Sequence, residues 1–506
     1  MRFISLSLAL QAVWPACLAA DDNGAIRACH VLERMLPLGV HHRNTTSYIG
    51  HNRYWSNRQG ELYPHCFVTP RSTQHVSRIM GYLTGGMVPF AVKAGGHTAF
   101  EGGSNIDAGV TVDLVHLDSI AVSQDGGTVS VGPGNRWIDV SETLDPMGLA
   151  VVGGRAADVG VSGLLLGGGL SYFSGTRGWA CDNVRSYQVV VSSGQIVDAS
   201  PDENPDLYWA LRGGGGSNFG IVTRFDLVAF PQRELWANSI IFPGELNKTL
   251  IPLFTDLTNR GLVETPEAHA YFVLGYQARS GGFIALTSLF QSTPPPRNTT
   301  PPVFQPFQSV PGAISNVTQL TSVSAQSRAI NQPSGSRQTW WDASVDRTST
   351  ELFEAIVSLY EACVNELLAA ADGAEIMPHL VFQPISRNVM QEMQKNGGNA
   401  LGLKLEHGPL MIVQLTMTWS DRQLDALVEK SSEAFVGQVE ELSKKMGLYR
   451  GFVYMNYAGK SQDVLGRYGR ESYDRLTKTA AKWDPKGVLQ ELWRGYFQLQ
   501  GPRGSA

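Results

Sequence analysis

The sequence predicts an α+β fold in two parts, and three observations carry that prediction. Short strand-like runs alternate with helical ones through the first half, three glycine-rich stretches recur there, and from about residue 236 longer strand and helix patterns take over. A length of 506 residues exceeds one ordinary core, so two to three domains are expected, with room for a large ligand between them.

The elements follow in chain order. The opening stretch MRFISLSLALQAVWPACLAADD sets Arg2 before an apolar run and small residues, which is the order of a secretory signal cleaved after about Ala19 or Ala20. Ser5, Ser7, Gln11 and Pro15 interrupt that run, against a membrane anchor, and no later segment is apolar enough to span a bilayer. A helical stretch with Cys29 precedes YPHCFVTP, a short strand ended by Pro70, and STQHVSRIMGYLTGG reads as a helix capped by Ser72 or Thr73. VPFAVKAGG is a strand running into a glycine loop, GVTVDLVHLDSIAV alternates like a strand, and GTVSVGPGNRWIDVSETLDPMG is strand, turn, helix. Beyond residue 236, QSTPPPRNTTPPVFQP is a proline-rich surface loop. STELFEAIVSLYEACVNELLAAA and SDRQLDALVEKSSEAFVGQVEELSKKMG are helical, with HLVFQPI and LMIVQLTMTW as strands between them. FVYMNYAGK reads as a strand and ESYDRLTKTAAKWDPKGVL as a closing helix.

Charge and cysteine usage narrow the partners. With 40 Lys and Arg against 45 Asp and Glu there is no basic excess to neutralise phosphates, which excludes nucleic acid as a partner. Loss of the signal removes Cys17 and leaves Cys29, Cys66, Cys181 and Cys363, compatible with one or two disulfides in an oxidising compartment. Sequons at Asn44, Asn247, Asn298 and Asn316 are the candidate glycosylation sites and agree with secretion.

The glycine stretches are AGGHTAFEGGS at 94–104, GVSGLLLGGGLSYFSG at 160–175 and LRGGGGSNFGIVTRFDL at 211–227. Such turns aim backbone N–H groups inward with no Cβ in the way, the requirement of a phosphate cradle. No G-x-x-x-x-G-K-[ST] motif is present, and the stretches are not each followed by an evident helix and an acidic residue at the spacing of a dinucleotide fingerprint, so neither nucleotide motif fits well. His97, set in the first stretch, fits three roles: a turn histidine bonded to backbone, a metal ligand, or a nucleophile joined to a cofactor. The metal role lacks a second ligand at suitable spacing, and no metal site is expected. Composition does not decide between the other two.

The motifs in succession, YWSNRQGELYPHCFVTPRSTQHVSRIM, VPFAVKAGGHTAFEGGSNIDAGVTVDLVHLDSI, VVGGRAADVGVSGLLLGGGLSYFSGTRGWACDNV, NPDLYWALRGGGGSNFGIVTRFDL and YMNYAGK to KWDP, resemble the berberine-bridge-enzyme-like flavoprotein oxidases in their fungal branch. That family uses the vanillyl-alcohol-oxidase, or PCMH-type, FAD domain. The resemblance implies a discontinuous FAD domain of residues 21–235 and 450–506, following a signal peptide at 1–20. It implies a substrate domain at 236–449 whose antiparallel sheet is covered by helices. It implies FAD bound covalently through His97, with Lys93, Gly95, Gly96, Thr98 and Gly102 around it. Val159, Gly160, Gly163 and Gly168 in the second stretch, Ile221 and Val222 in the third, and Asn456 would complete the cofactor site. Many relatives add a cysteinyl tether, but Ala156 stands at that position, so one link is expected and the doubly linked oligosaccharide oxidases are disfavoured. Val159 matches the residue that relatives reacting with dioxygen keep as valine.

Tyr457 matches the catalytic base of relatives, a role that requires its hydroxyl pKa to be lowered by positive charge or hydrogen bonds; the competing reading is a tyrosine packed under the flavin. On a strand, Asn456 would point oppositely. The resemblance also implies a Cys29–Cys66 disulfide, with Cys181 and Cys363 reduced. The expected function is a secreted, monomeric FAD oxidase acting on a small organic metabolite with dioxygen as acceptor, in secondary metabolism. A flavoprotein cyclase, a carbohydrate oxidase and a non-catalytic binding glycoprotein are the alternatives. Glu406 and His407, the chargeable pair nearest the strands HLVFQPI and LMIVQLTMTW, read as loop residues.

Overall fold

The computed structural model describes residues 22–277 and 282–499, so the expected signal peptide lies outside the described residues. Three sheets organise them. A four-stranded sheet takes the order Val40–His42, Cys66–Val68, Val110–Asp113, Phe90–Lys93. Its last three strands are parallel, which requires crossovers; the helix Thr73–Gly85 supplies one, with Ser72 accepting from the His75 N–H as its N-cap. GVTVDLVHLDSIAV is two strands, Val110–Asp113 and Ile120–Val122, because the chain turns after Asp113 and enters a second sheet. That second sheet is six-stranded and antiparallel, centred on the long strand Ile221–Pro231.

The third sheet has seven antiparallel strands, all drawn from residues 235–419. The helices Thr350–Ala370 and Asp425–Lys445 cover one face. Leu352, Ile356 and Tyr360 of the first helix and Val428, Phe435 and Val439 of the second pack on Phe272, Leu380, Phe382 and Leu415 of the strands. Successive strand residues point to opposite faces, so Tyr271, His379, Val381 and Gln383 are left for the other side. That side looks towards the first two sheets.

The C-terminal residues return to the N-terminal half. Phe452, Tyr454 and Met455 join Trp137, Trp179 and Tyr187 in the core of the six-stranded sheet, while Leu489, Leu492 and Trp493 join the core of the four-stranded one. FVYMNYAGK is not a strand: residues 451–454 are irregular and 455–457 form a turn, with the Tyr457 N–H donating to the Tyr454 carbonyl at 2.8 Å. ESYDRLTKTAAKWDPKGVL is helical over Arg470–Trp483 and Val488–Leu492. Buried Arg337 pairs with Glu61 and Asp425, and buried Arg58 pairs with Glu101 and Glu429, so charges from the N-terminal segment lock onto the seven-stranded sheet and its helix.

Cys29 and Cys66 are joined in a disulfide tying the first helix to the four-stranded sheet, while Cys181 and Cys363 are free. Asn44, Asn298 and Asn316 are exposed. Asn247 is not: it is 8% exposed and its Nδ2 donates to Glu361 at 3.2 Å. No helix among the described residues is long and apolar enough to cross a membrane.

A staple across 37 residues is worth about 4 kcal/mol through loop entropy in the unfolded chain. The double variant Cys29→Ser/Cys66→Ser is expected to lose roughly that much stability in a denaturant titration. Peptide mapping without reductant should recover the two cysteines as one linked pair.

Candidate active site

A cavity of about 630 Å³ lies where the open face of the seven-stranded sheet meets the glycine loops of the first half. Its construction starts at the strand Phe90–Lys93. Val92 faces the cavity and Lys93, one residue on, faces away, where its Nζ sits 3.3 Å from Asp113 Oδ2 and 4.4 Å from the centre of the Tyr54 ring. The chain then passes backbone against backbone with the second glycine stretch. A Cβ on Gly95 would fall 2.5 Å from the Gly160 Cα, and one on Gly160 would fall 2.6 Å from the Gly95 nitrogen. Gly96 follows at φ +67°, a left-handed turn that brings His97 to the wall.

His97 stacks on Trp55 with ring centres 4.0 Å apart and planes 12° from parallel. Enclosure lowers its pKa to about 4, the internal hydrogen bond to its own backbone opposing only in part. At neutral pH the ring is therefore uncharged and keeps a nucleophilic nitrogen lone pair. Among the described residues no cysteine lines the cavity, and Ala156 does. Cys181 is fully buried elsewhere, where burial and then Asp182 push its thiol well above the usual range.

Of the residues expected from sequence, Gly95, Gly96, His97, Thr98, Val159, Gly160, Gly163, Ile221, Val222, Asn456 and Tyr457 line the cavity. Lys93, Gly102 and Gly168 do not. Gly102 abuts Gly495, where a Cβ on Gly495 would reach 2.2 Å from the Gly102 carbonyl oxygen, and Gly168, at φ +115°, turns beside Trp179 and Tyr454. Their freedom from a Cβ serves chain packing. Asn456 and Tyr457 share the wall because they sit in a turn, where strand alternation would have separated them. Asn456 Nδ2 also donates to the Leu164 carbonyl at 3.1 Å and to Tyr454 Oη at 2.9 Å, fixing the turn against the second glycine stretch. Glu406 and His407 form an exposed turn off the cavity, as expected. Away from the cavity, at the surface, His30, Glu33 and His42 bring one ligand atom each within 4.8 Å of one another, a grouping the sequence did not suggest.

Sequence reasoning missed the polar centre. Arg155 Nη2 donates to Tyr457 Oη at 2.7 Å, and its Nη1 donates to Gln383 Oε1 at 2.6 Å and to His269 Nε2 at 2.9 Å. Its guanidinium lies 5.1 Å from the centre of the Tyr271 ring. The only signal was a lone cation in VVGGRAADVG, and its partners come from two strands and a C-terminal turn more than a hundred residues away. Burial pushes the Tyr457 hydroxyl above its usual pKa while Arg155 pulls it down, and burial prevails. The resting group is the phenol. Because Arg155 donates to its oxygen, the phenolic hydrogen must point elsewhere.

The comparisons agree with this architecture. Residues 64–200 match a family described as an FAD binding domain. The chain is 36% identical over 462 residues to the FAD-dependent monooxygenase tpcD of Cochliobolus heterostrophus, covering 88% of this chain and 87% of that one. Among solved structures, BBE-like 1 of Physcomitrella patens superposes with a TM-score of 0.74 at 19% identity, covering 90% and 97% of the two chains. Glucooligosaccharide oxidase of Acremonium strictum, described with a 6-S-cysteinyl, 8α-N1-histidyl FAD, gives 0.72 at 20% identity over 92% and 97%.

The two kinds of glycine should separate on mutation. Gly160→Ala places a methyl group inside the Gly95 backbone and is expected to cost about 1–3 kcal/mol of stability and to lower the flavin-to-protein ratio. Gly163→Ala meets nothing within 4 Å and lies inside the short helix Val161–Leu166, so it should leave thermal unfolding of the protein chain unchanged or raise it slightly. Melting curves and flavin absorbance of the purified variants check both.

Proposed function

The chain belongs to the berberine-bridge-enzyme-like FAD-linked oxidoreductases of the vanillyl-alcohol-oxidase fold, in their fungal branch, and from that premise we propose a secreted oxidase of a small organic metabolite. The observation that carries this reading is that His97 and the Arg155–Tyr457 pair line one chamber. We assign residues 21–235 and 450–506 to the FAD-binding part and 236–449 to the substrate part. The strand content of the third sheet and the return of the C-terminal residues to the first two cores support that division.

The residues present fit FAD. Backbone at Gly95, Gly96, Gly160, Gly215 and Gly216 lines the wall without side chains, which suits a pyrophosphate. The neutral His97 ring suits a single covalent link, and Ala156 leaves no second one. When bound, FAD supplies the hydride acceptor and, on reoxidation by dioxygen, hydrogen peroxide. Val159 on the wall suits an oxidase. The substrate must present its reacting hydrogen between the flavin site and the open sheet face. Tyr457 Oη, held at 2.7 Å by Arg155, takes the proton as the tyrosinate. The absent cysteine at position 156 counts against the doubly linked carbohydrate oxidases as a guide to substrate. Secretion is supported by the leader sequence and the disulfide.

Acid-precipitated protein should stay yellow, and digestion should place one FAD on the peptide with His97 and none on a cysteine peptide. His97→Ala should release its flavin in acid; a wild-type protein that loses flavin in acid removes the tether. Tyr457→Phe should keep the flavin and slow its anaerobic reduction by about two to four orders of magnitude. Since the phenol must ionise and burial raises its pKa, wild-type reduction should accelerate as pH rises into the alkaline range. The Tyr457→Phe profile should be flat there.

A further inference from the structure

The hydrogen-bond inventory around Arg155 is one-sided. Arginine only donates, so its contacts fix Gln383 Oε1 and His269 Nε2 as acceptors. Gln383 therefore turns its amide Nε2 the other way, and that nitrogen is buried without a partner although the residue is 1% exposed. Trp340 Nε1, on a second cavity-lining residue of the same sheet, is also buried without a partner. Arg155 has five N–H groups, and the described contacts occupy three. The chamber wall thus holds buried donors that no described contact matches.

Its charge is one-sided too. Among the described residues, the cavity lining contains Arg155 but no Asp or Glu. His269 beside it is neutral, since burial and then the Arg155 charge hold its pKa well below the usual value. Asp342, behind the Tyr454–Tyr457 turn, accepts from the Tyr454 N–H at 2.9 Å and is wholly buried, which raises its pKa well above its usual value, and it does not line the cavity. A cationic amine would find no counter-charge here, and a buried cation without an anion is costly.

We propose that the chamber receives a substrate carrying an oxyanion on a planar carbon, a carboxylate, phenolate or enolate, and that Arg155 and the Gln383 amide are the groups that bind it. The proposal rests on reading this chamber as the substrate site. Charge-assisted N–H···O⁻ bonds supply the missing anion and satisfy the buried donors together. Selection then follows from the donors: a neutral isostere accepts from them without charge assistance, and a cationic one leaves them unmatched.

Equilibrium binding to the flavin-loaded protein, followed by calorimetry, tests this without turnover. Benzoate and 2,4-dinitrophenolate serve as the carboxylate and phenolate probes, with benzamide and benzylamine as the neutral and cationic controls. At least one oxyanion should bind ten times or more tighter than both controls. Arg155→Gln should abolish the difference and Arg155→Lys should retain part of it. Tyr457→Phe should keep the preference even where flavin reduction is slowed. Normal reduction in that variant would sink the base assignment alone and leave this one standing. Controls binding as tightly as the oxyanions, no oxyanion binding at millimolar concentration, or a preference that survives Arg155→Gln would each overturn it. The wild-type comparison decides even if an Arg155 variant fails to fold.

Discussion

Strand alternation is the constraint on which the site depends. In the strand Ile376–Ile385, Leu380 and Phe382 sit in the apolar core beneath two helices, while His379, Val381 and Gln383 line the cavity. The same division holds for Trp340 and Trp341, adjacent residues that face the cavity and the helices respectively. A shift of one residue in register would exchange these sets, placing Gln383 among leucines and Leu380 in the chamber. Burial of the helical face thus fixes the chemistry of the other. Since each apolar side chain buried there is worth about 1.5–3 kcal/mol, the register is secured by many residues that never touch a ligand.

The opposite wall is made by a different device. Gly95 and Gly160 meet where no Cβ fits, so two glycine loops close on each other before either meets a ligand. Much of the glycine content that suggests a cofactor cradle is therefore also packing. The C-terminal turn at Tyr454–Tyr457 completes the wall from a segment remote in sequence, anchored by Tyr454 between Asn456, the Gly169 N–H and Asp342. His97, Trp55 and Trp340 then form a connected set of rings across the junction of the two halves.

Arg155 unites the halves electrostatically. It sits in the loop before the second glycine stretch, yet its partners belong to two strands of the large sheet and to the C-terminal turn. All three partners are neutral at rest, so the cation is solvated by oriented dipoles and not discharged by an acid. This arrangement keeps its charge available to the chamber and explains why Tyr457 feels two opposed influences, burial raising its pKa and the guanidinium lowering it.

The sequence by itself determined the alternation of short strands and helices, the two long helices, the glycine loops, and the placing of His97 and Tyr457, because these depend on local periodicity, on glycine and on family motifs. It misjudged FVYMNYAGK, whose alternating apolar residues resemble a strand but turn instead, bonding within the segment and to buried groups outside it. The family resemblance put Lys93 with the cofactor, and strand alternation turned that side chain towards Asp113. Only tertiary structure decided that Arg155, Gln383 and Tyr457, separated by up to 302 residues, share one hydrogen-bond network. Periodicity reports which face of an element is buried, whereas a polar cluster exists only once three sheets have been folded against one another.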